Sequence, residues 1–175
     1  IVSSAAFAQT PVRVDLNAGA GPLVGSDPGG LFRTPGGLVF FNACDPAHGC
    51  ELWRSDGSEA GTQLVKDIRP GAAGSAPFGF GADAVGQFVY FSAEDGSHGR
   101  ELWRSDGSAN GTQLVVDLVP GLDGSHPQSI HPVGGSAVVF TAVTNALGRE
   151  LHRSSGSSIE LVIDLLPGVG SGVAN

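Results

Sequence analysis

Apolar residues along this chain fall in short runs broken by Gly, Asp, Asn, Ser and Pro, with no long helix-forming stretch between them. The runs LVFFNA from Leu38, FVYFSA from Phe88 and AVVFTA from Ala137 are β-branched and aromatic, as strands are. They do not alternate cleanly between apolar and polar, which is what strands buried on both faces require. Each run leads into a near-identical segment: ELWRSDGS at Glu51 to Ser58, the same letters at Glu101 to Ser108, and ELHRSSGS at Glu150 to Ser157, spaced 50 and 49 residues apart. A further apolar run follows each time, QLVKDI, QLVVDL and ELVIDL, and then a Pro-Gly turn, RPGAAGSAP, VPGLDGSHP and LPGVGSG. A weaker run, GGLFRTP, FGFGADAV or SIHPVG, opens each unit. The unit therefore reads as four short strands joined by turns.

A period near 50 residues with four strands per unit is the pattern of a propeller blade. The expected fold is all-β: a repeat of four-stranded blades forming a partial β-propeller of about three blades plus one N-terminal strand. An open β-repeat stack or a solenoid is the alternative. Residues 31–77, 78–126 and 127–175 read as blades 1, 2 and 3, the last with a truncated linker. Residues 9–30 read as the last strand of a preceding blade and a linker, because Asp15-Leu16 in VRVDLNAG aligns with Asp67-Ile68, Asp117-Leu118 and Asp164-Leu165. Three blades leave two raw sheet edges. The chain is thus expected to be part of a longer array, or to close by assembling with further blades.

Composition narrows the partners. A formal net charge of −8 opposes attraction to nucleic acid or to an anionic membrane surface. No apolar run approaches the length of about 18 residues that a spanning helix needs, so no membrane insertion is expected. Residues 1–8, IVSSAAFA, resemble the end of a secretory signal with an A-x-A cleavage site, which points to an exported protein.

Cys44 and Cys50 are the only cysteines. Aligned on the repeat, they occupy the places of Glu94 and Arg100 in blade 2 and of Val143 and Arg149 in blade 3. These positions flank a hairpin loop and face one another, close enough for a disulfide; the Glu94 and Arg100 pair would be an ion pair in the same place. Only His48 lies nearby as a further metal ligand, and His98, its counterpart, has no cysteines beside it, so zinc is disfavoured. The spacing is also unlike a C-x-x-C redox pair.

Chemistry is sparse elsewhere. In S-D-G-S-x-x-G-T, Asp56 or Asp106 is expected to brace its own turn while Gly57 or Gly107 supplies a positive φ. One carboxylate per turn is thin for Ca²⁺, and no cofactor is expected. Ser155 replaces the aspartate in blade 3, where the turn is two residues shorter. Trp53 and Trp103 read as packing between blades, and His152 in their place points to a wetter interface or to a degenerate unit. Asp67, Asp117 and Asp164 are open to two readings, a ring of carboxylates lining a channel or caps on local turns. His126 and His131 are unrepeated polar residues around an entry loop. No nucleophile elbow, H-E-x-x-H or phosphate loop is present, and the chain reads as no enzyme.

The segment ELWRSDGS with GTQLVKDI and PGAAGS resembles the ELWxxDGT repeat of bacterial exported and surface proteins. The match runs through Glu51, Leu52, Trp53, Asp56, Gly57, Gly61 and Thr62, and again through Glu101, Leu102, Trp103, Asp106, Gly107, Gly111 and Thr112. Ser58 and Ser108 stand where that repeat carries Thr, and blade 3 departs at His152 and Ser155. The resemblance implies a propeller-like architecture in a secreted or cell-surface setting. The expected function is a binding or scaffold module for a surface glycan or protein, with the repeat portion of a secreted hydrolase as the alternative.

Overall fold

The structure, a computed structural model, describes residues 25–165. The leader-like run 1–8 and the strand expected in VRVDLNAG lie outside the described residues. Strands β1 (Gly29–Arg33), β2 (Val39–Asp45), β3 (Gly49–Ser55) and β4 (Gln63–Lys66) form one antiparallel sheet. Strands β5 (Phe78–Ala82), β6 (Val89–Glu94), β7 (Arg100–Ser105) and β8 (Gln113–Val116) form a second. A third holds β9 (Gln128–Gly134), β10 (Ala137–Thr144), β11 (Gly148–Ser155) and β12 (Ile159–Ile163). Each sheet follows chain order, as a meander does, and the described residues contain no helix.

Registers repeat as closely as the letters. Phe41 faces Trp53 and Phe91 faces Trp103, and the outer strand slips against Leu52/Trp53 as it does against Leu102/Trp103. Such a bulge adds twist, which blades need in order to fan around an axis.

Because side chains alternate across a strand, neighbouring aromatics serve opposite faces. Phe40, Leu52, Val65 and Ile68 of the first sheet pack on Val89, Phe91, Ala93 and Trp103 of the second. Tyr90, Leu102 and Val115, on the second sheet's other face, pack on Val138, Phe140 and Ala142 of the third. Trp103 thus lies between blades, while Trp53 forms a cluster with Phe41 and Ala43 on the first sheet's remaining face. His152 does not make its interface wetter: it is 3% exposed and stacks on Phe140 with ring centroids 5.8 Å apart.

The connectors are held by buried carboxylates. Glu101 is fully buried and accepts backbone N–H bonds from Val119 and Ser125, both at 3.0 Å, together with the Ser125 hydroxyl. Glu51 does the same with Arg69 and Ser75, and Glu150 accepts from the Leu165 N–H. The first residue of ELW thereby pins the Pro-Gly loop that carries the chain to the next sheet.

Candidate functional site

The first strand of each sheet lies innermost, and β1, β5 and β9 converge on a groove of about 610 Å³. Its walls include Phe32, Phe80 and Ile130, with Arg33, Thr34, Asp83 and His131 as the polar groups. A cavity of this size, mostly apolar with few polar groups, is of the kind that takes a small ligand or a short chain segment. Arg33 is exposed and makes no ion pair among the described residues. Asp83 is 2% exposed and already committed: its carboxylate accepts from the backbone N–H of Gln87 at 2.8 Å and of Phe88 at 3.2 Å.

His131 belongs to this groove and not to a solvated entry loop. It sits on β9 opposite Val139, in a strand that runs on through Pro132. A proline is tolerated there because β9 is an edge strand. His126 does lie in a connector, at a φ of 47°, where its backbone does the bonding: its N–H donates to Arg100 O at 3.0 Å and its carbonyl accepts from Arg149 Nη1 at 3.0 Å.

The carboxylate ring is not formed. Asp67 and Asp117 follow β4 and β8, the outermost strands, away from the inner groove. One oxygen of each is buried without a hydrogen-bond partner. Their charge favours protonation of His48 and His98, whose Nδ1 atoms meet Asp45 and Asp95 at 2.8 Å. These Asp–His pairs raise the histidines above their ordinary value, chiefly through that hydrogen bond.

The S-D-G-S turns are self-contained. Asp56 Oδ1 accepts from the Ser58 N–H at 2.8 Å and its hydroxyl at 2.6 Å, and Asp106 does so with Ser108 at 2.8 and 2.7 Å. Those bonds hold both aspartates below the usual carboxylate range. Gly57 and Gly107 have φ of 93° and 89°, a conformation other residues rarely adopt. Thr62 and Thr112 close the turns through Ser55 and Ser105 at 2.7 Å. Among the described residues no group of three or more His, Cys, Asp or Glu side chains is placed to hold a metal ion.

Cys44 and Cys50 face one another across the β2–β3 hairpin and form a disulfide. In the second sheet the facing pair is Glu94 and Arg100, 4.0 Å apart, and Glu94 also pairs with Arg69 from the preceding connector. A covalent bond and an ion pair thus occupy one structural position. Leu52, Leu102 and the two motif tryptophans are core side chains, so the repeat motif organises blades and does not itself form the groove. What the sequence concealed is the groove: its lining comes from the weakest, least repeated run of each unit.

No protein-family model matches this chain, and no curated protein matches it in sequence. Among solved structures it is similar to a protein assigned as TolB from Agrobacterium tumefaciens, with a TM-score of 0.52 and 16% identity. The superposition covers 77% of this chain and 48% of that one, so this chain spans about half its length. The likeness shows the fold, a β-propeller-like array of blades. Its three sheets do not close into a ring among the described residues.

Proposed function

We propose that this chain is a non-catalytic, exported binding module of the ELWxxDGT repeat type, acting at a bacterial surface or outside the cell on a glycan or protein. The groove between β1, β5 and β9 carries the reading: three blades each contribute one strand to a single concave, apolar surface with an unpaired guanidinium at its edge. Arg33 offers a planar donor fork to a carboxylate or hydroxyl pair, and Phe32 and Phe80 offer apolar faces beside it. The non-catalytic part is supported by Asp83, whose oxygens are spent on its own turn. The disulfide supports an oxidising compartment.

A binding screen against envelope polysaccharides, glycans and peptides, with and without chelator, tests this. Arg33→Ala should weaken any specific ligand by about tenfold or more, the scale of one charge-assisted hydrogen bond, without changing the fold. Binding that ignores Arg33→Ala and Phe80→Ala would remove the groove from the reading; silence across the panel would remove the glycan and peptide classes.

A further inference from the structure

The chain uses one kind of interface twice, and each half of it is also present a third time without its partner among the described residues. In the second sheet Val89, Ser105, Gly107 and Thr112 are all buried, because the first sheet lies over them. Their counterparts in the first sheet, Val39, Ser55, Gly57 and Thr62, are exposed or half-buried and line a pocket of about 300 Å³ floored by Phe41. A Cβ on Gly107 would lie 3.1 Å from Arg54 Nη1 and 3.3 Å from Phe40 Cζ, whereas one on Gly57 meets nothing within 4 Å. The seat that Phe40 and Arg54 fill on the second sheet is open on the first.

The other half is open on the third sheet. Val65 and Ile68, which the first sheet presses on the second, are 6% and 5% exposed. Their counterparts Val162 and Leu165 are 48% and 66% exposed. Arg153 stands in the register place of Arg54 and Arg104, opposite Glu160 where those face Gln63 and Gln113. Arg104 repeats the contact of Arg54, lying 3.5 Å from a Cβ on Gly156. Arg54 sits near enough to Asp106 for its charge to lower that carboxyl, so in a third such contact Arg153 would approach the exposed Asp56.

We propose that a second copy of this chain docks head to tail, its third sheet seating Val139, Val162 and Arg153 in the pocket beside Gly57 of the first sheet. The occupant follows from complementarity already built: the two open surfaces are the same two surfaces that meet between sheets one and two, and between two and three. They differ from each other, so the contact is heterologous. Two copies joined at both ends would hold six sheets, inside the range of roughly four to eight at which propellers close. This proposal is independent of what the axial groove binds.

The test is the mass of the purified chain in solution across a concentration series, with Val39→Glu and Val162→Glu. The wild type should run at a multiple of the monomer mass, and each variant alone as a monomer, because each spoils every contact of a homomeric assembly. An equimolar mixture should regain a dimer, since one of its two contacts then joins unaltered Val39 to unaltered Val162. Recovery in the mixture also shows that both variants fold. A monomeric wild type up to its solubility limit overturns the proposal, as does a mixture that stays monomeric or an assembly that neither variant weakens.

Discussion

At Glu101 the environment decides the chemistry. Burial lifts its carboxyl above the usual range, the Ser125, Val119 and Leu118 hydrogen bonds pull the other way, and burial prevails; Glu51 behaves alike. Glu101→Ala strands three donors, the N–H groups of Val119 and Ser125 and the Ser125 hydroxyl, and should cost about 3 kcal/mol or more of unfolding free energy. The pH dependence has a definite sign. A carboxyl with a raised folded-state pKa holds its proton longer folded than unfolded, so it contributes most stability near or below its ordinary 4.5 and loses it as pH climbs through the folded value. Glu101→Gln does not titrate, so its deficit against wild type, followed by urea unfolding, should be largest near pH 4.5 and shrink as pH rises. A deficit that grows with pH would mean that the site favours the anion. The role of this glutamate was not legible beforehand, although its position was, because its partners stand 18 and 24 residues downstream and only the recurrence of Gly-Ser in each connector hinted at them.

Single elements were far easier to read, since a strand or a turn is specified by neighbours in sequence. The facing of Cys44 with Cys50, the glutamate–arginine pair in the same place and the bracing by Asp56 and Asp106 all follow from hairpin register and local side-chain bonding. The run SIHPVG that opens the third unit is strand β9, and as an edge strand it accommodates Pro132, which puts His131 on a strand of the groove where the unrepeated residues had pointed to an entry loop. The same local geometry explains Gly111: a Cβ there would collide with the Asp106 carboxylate, so any other residue must displace the brace. Gly111→Ala should therefore lower stability by about 2 kcal/mol, within the range for disrupted turns. Removing the obstructing carboxylate should recover part of the loss, so the double variant Asp106→Ala/Gly111→Ala should be more stable than the two single effects added together. Additive losses in thermal unfolding would place the strain elsewhere than at this contact. Cleaving the disulfide belongs to the same scale: Cys44→Ala/Cys50→Ala should cost about 2 kcal/mol, the entropy of so short a loop, and leave the sheets in place by circular dichroism.

The molecule as a whole is a row of sheets in which each packs only on its neighbours, so its stability is a sum of blade and interface contributions and need not be uniform. The second sheet has partners on both faces, and five of the six residues of β6 are buried. Among the described residues the third meets a partner on one face, and on β12 four of five residues are exposed. Its third interface residue, His152, replaces the tryptophan of the other units, and its short turn carries a Ser155–Ser158 contact at 3.4 Å in place of the Asp brace. Opening of β11 and β12 therefore sacrifices little buried apolar surface, whereas opening β6 and β7 breaks two interfaces at once. Peptide-resolved amide exchange on the Val39→Glu variant, chosen so that self-association does not shield the third sheet, should show β6 and β7 slowest and β11 and β12 fastest. In wild type at high concentration the protection of β12 and of the turn around Gly57 on the first sheet should rise together, because docking of a second copy covers Val162 and the pocket beside Gly57 and leaves the interior of the second sheet unchanged. Equal exchange across all three sheets would instead show that the blades unfold as one unit, with the buried glutamates coupling them strongly enough to override the difference in packing.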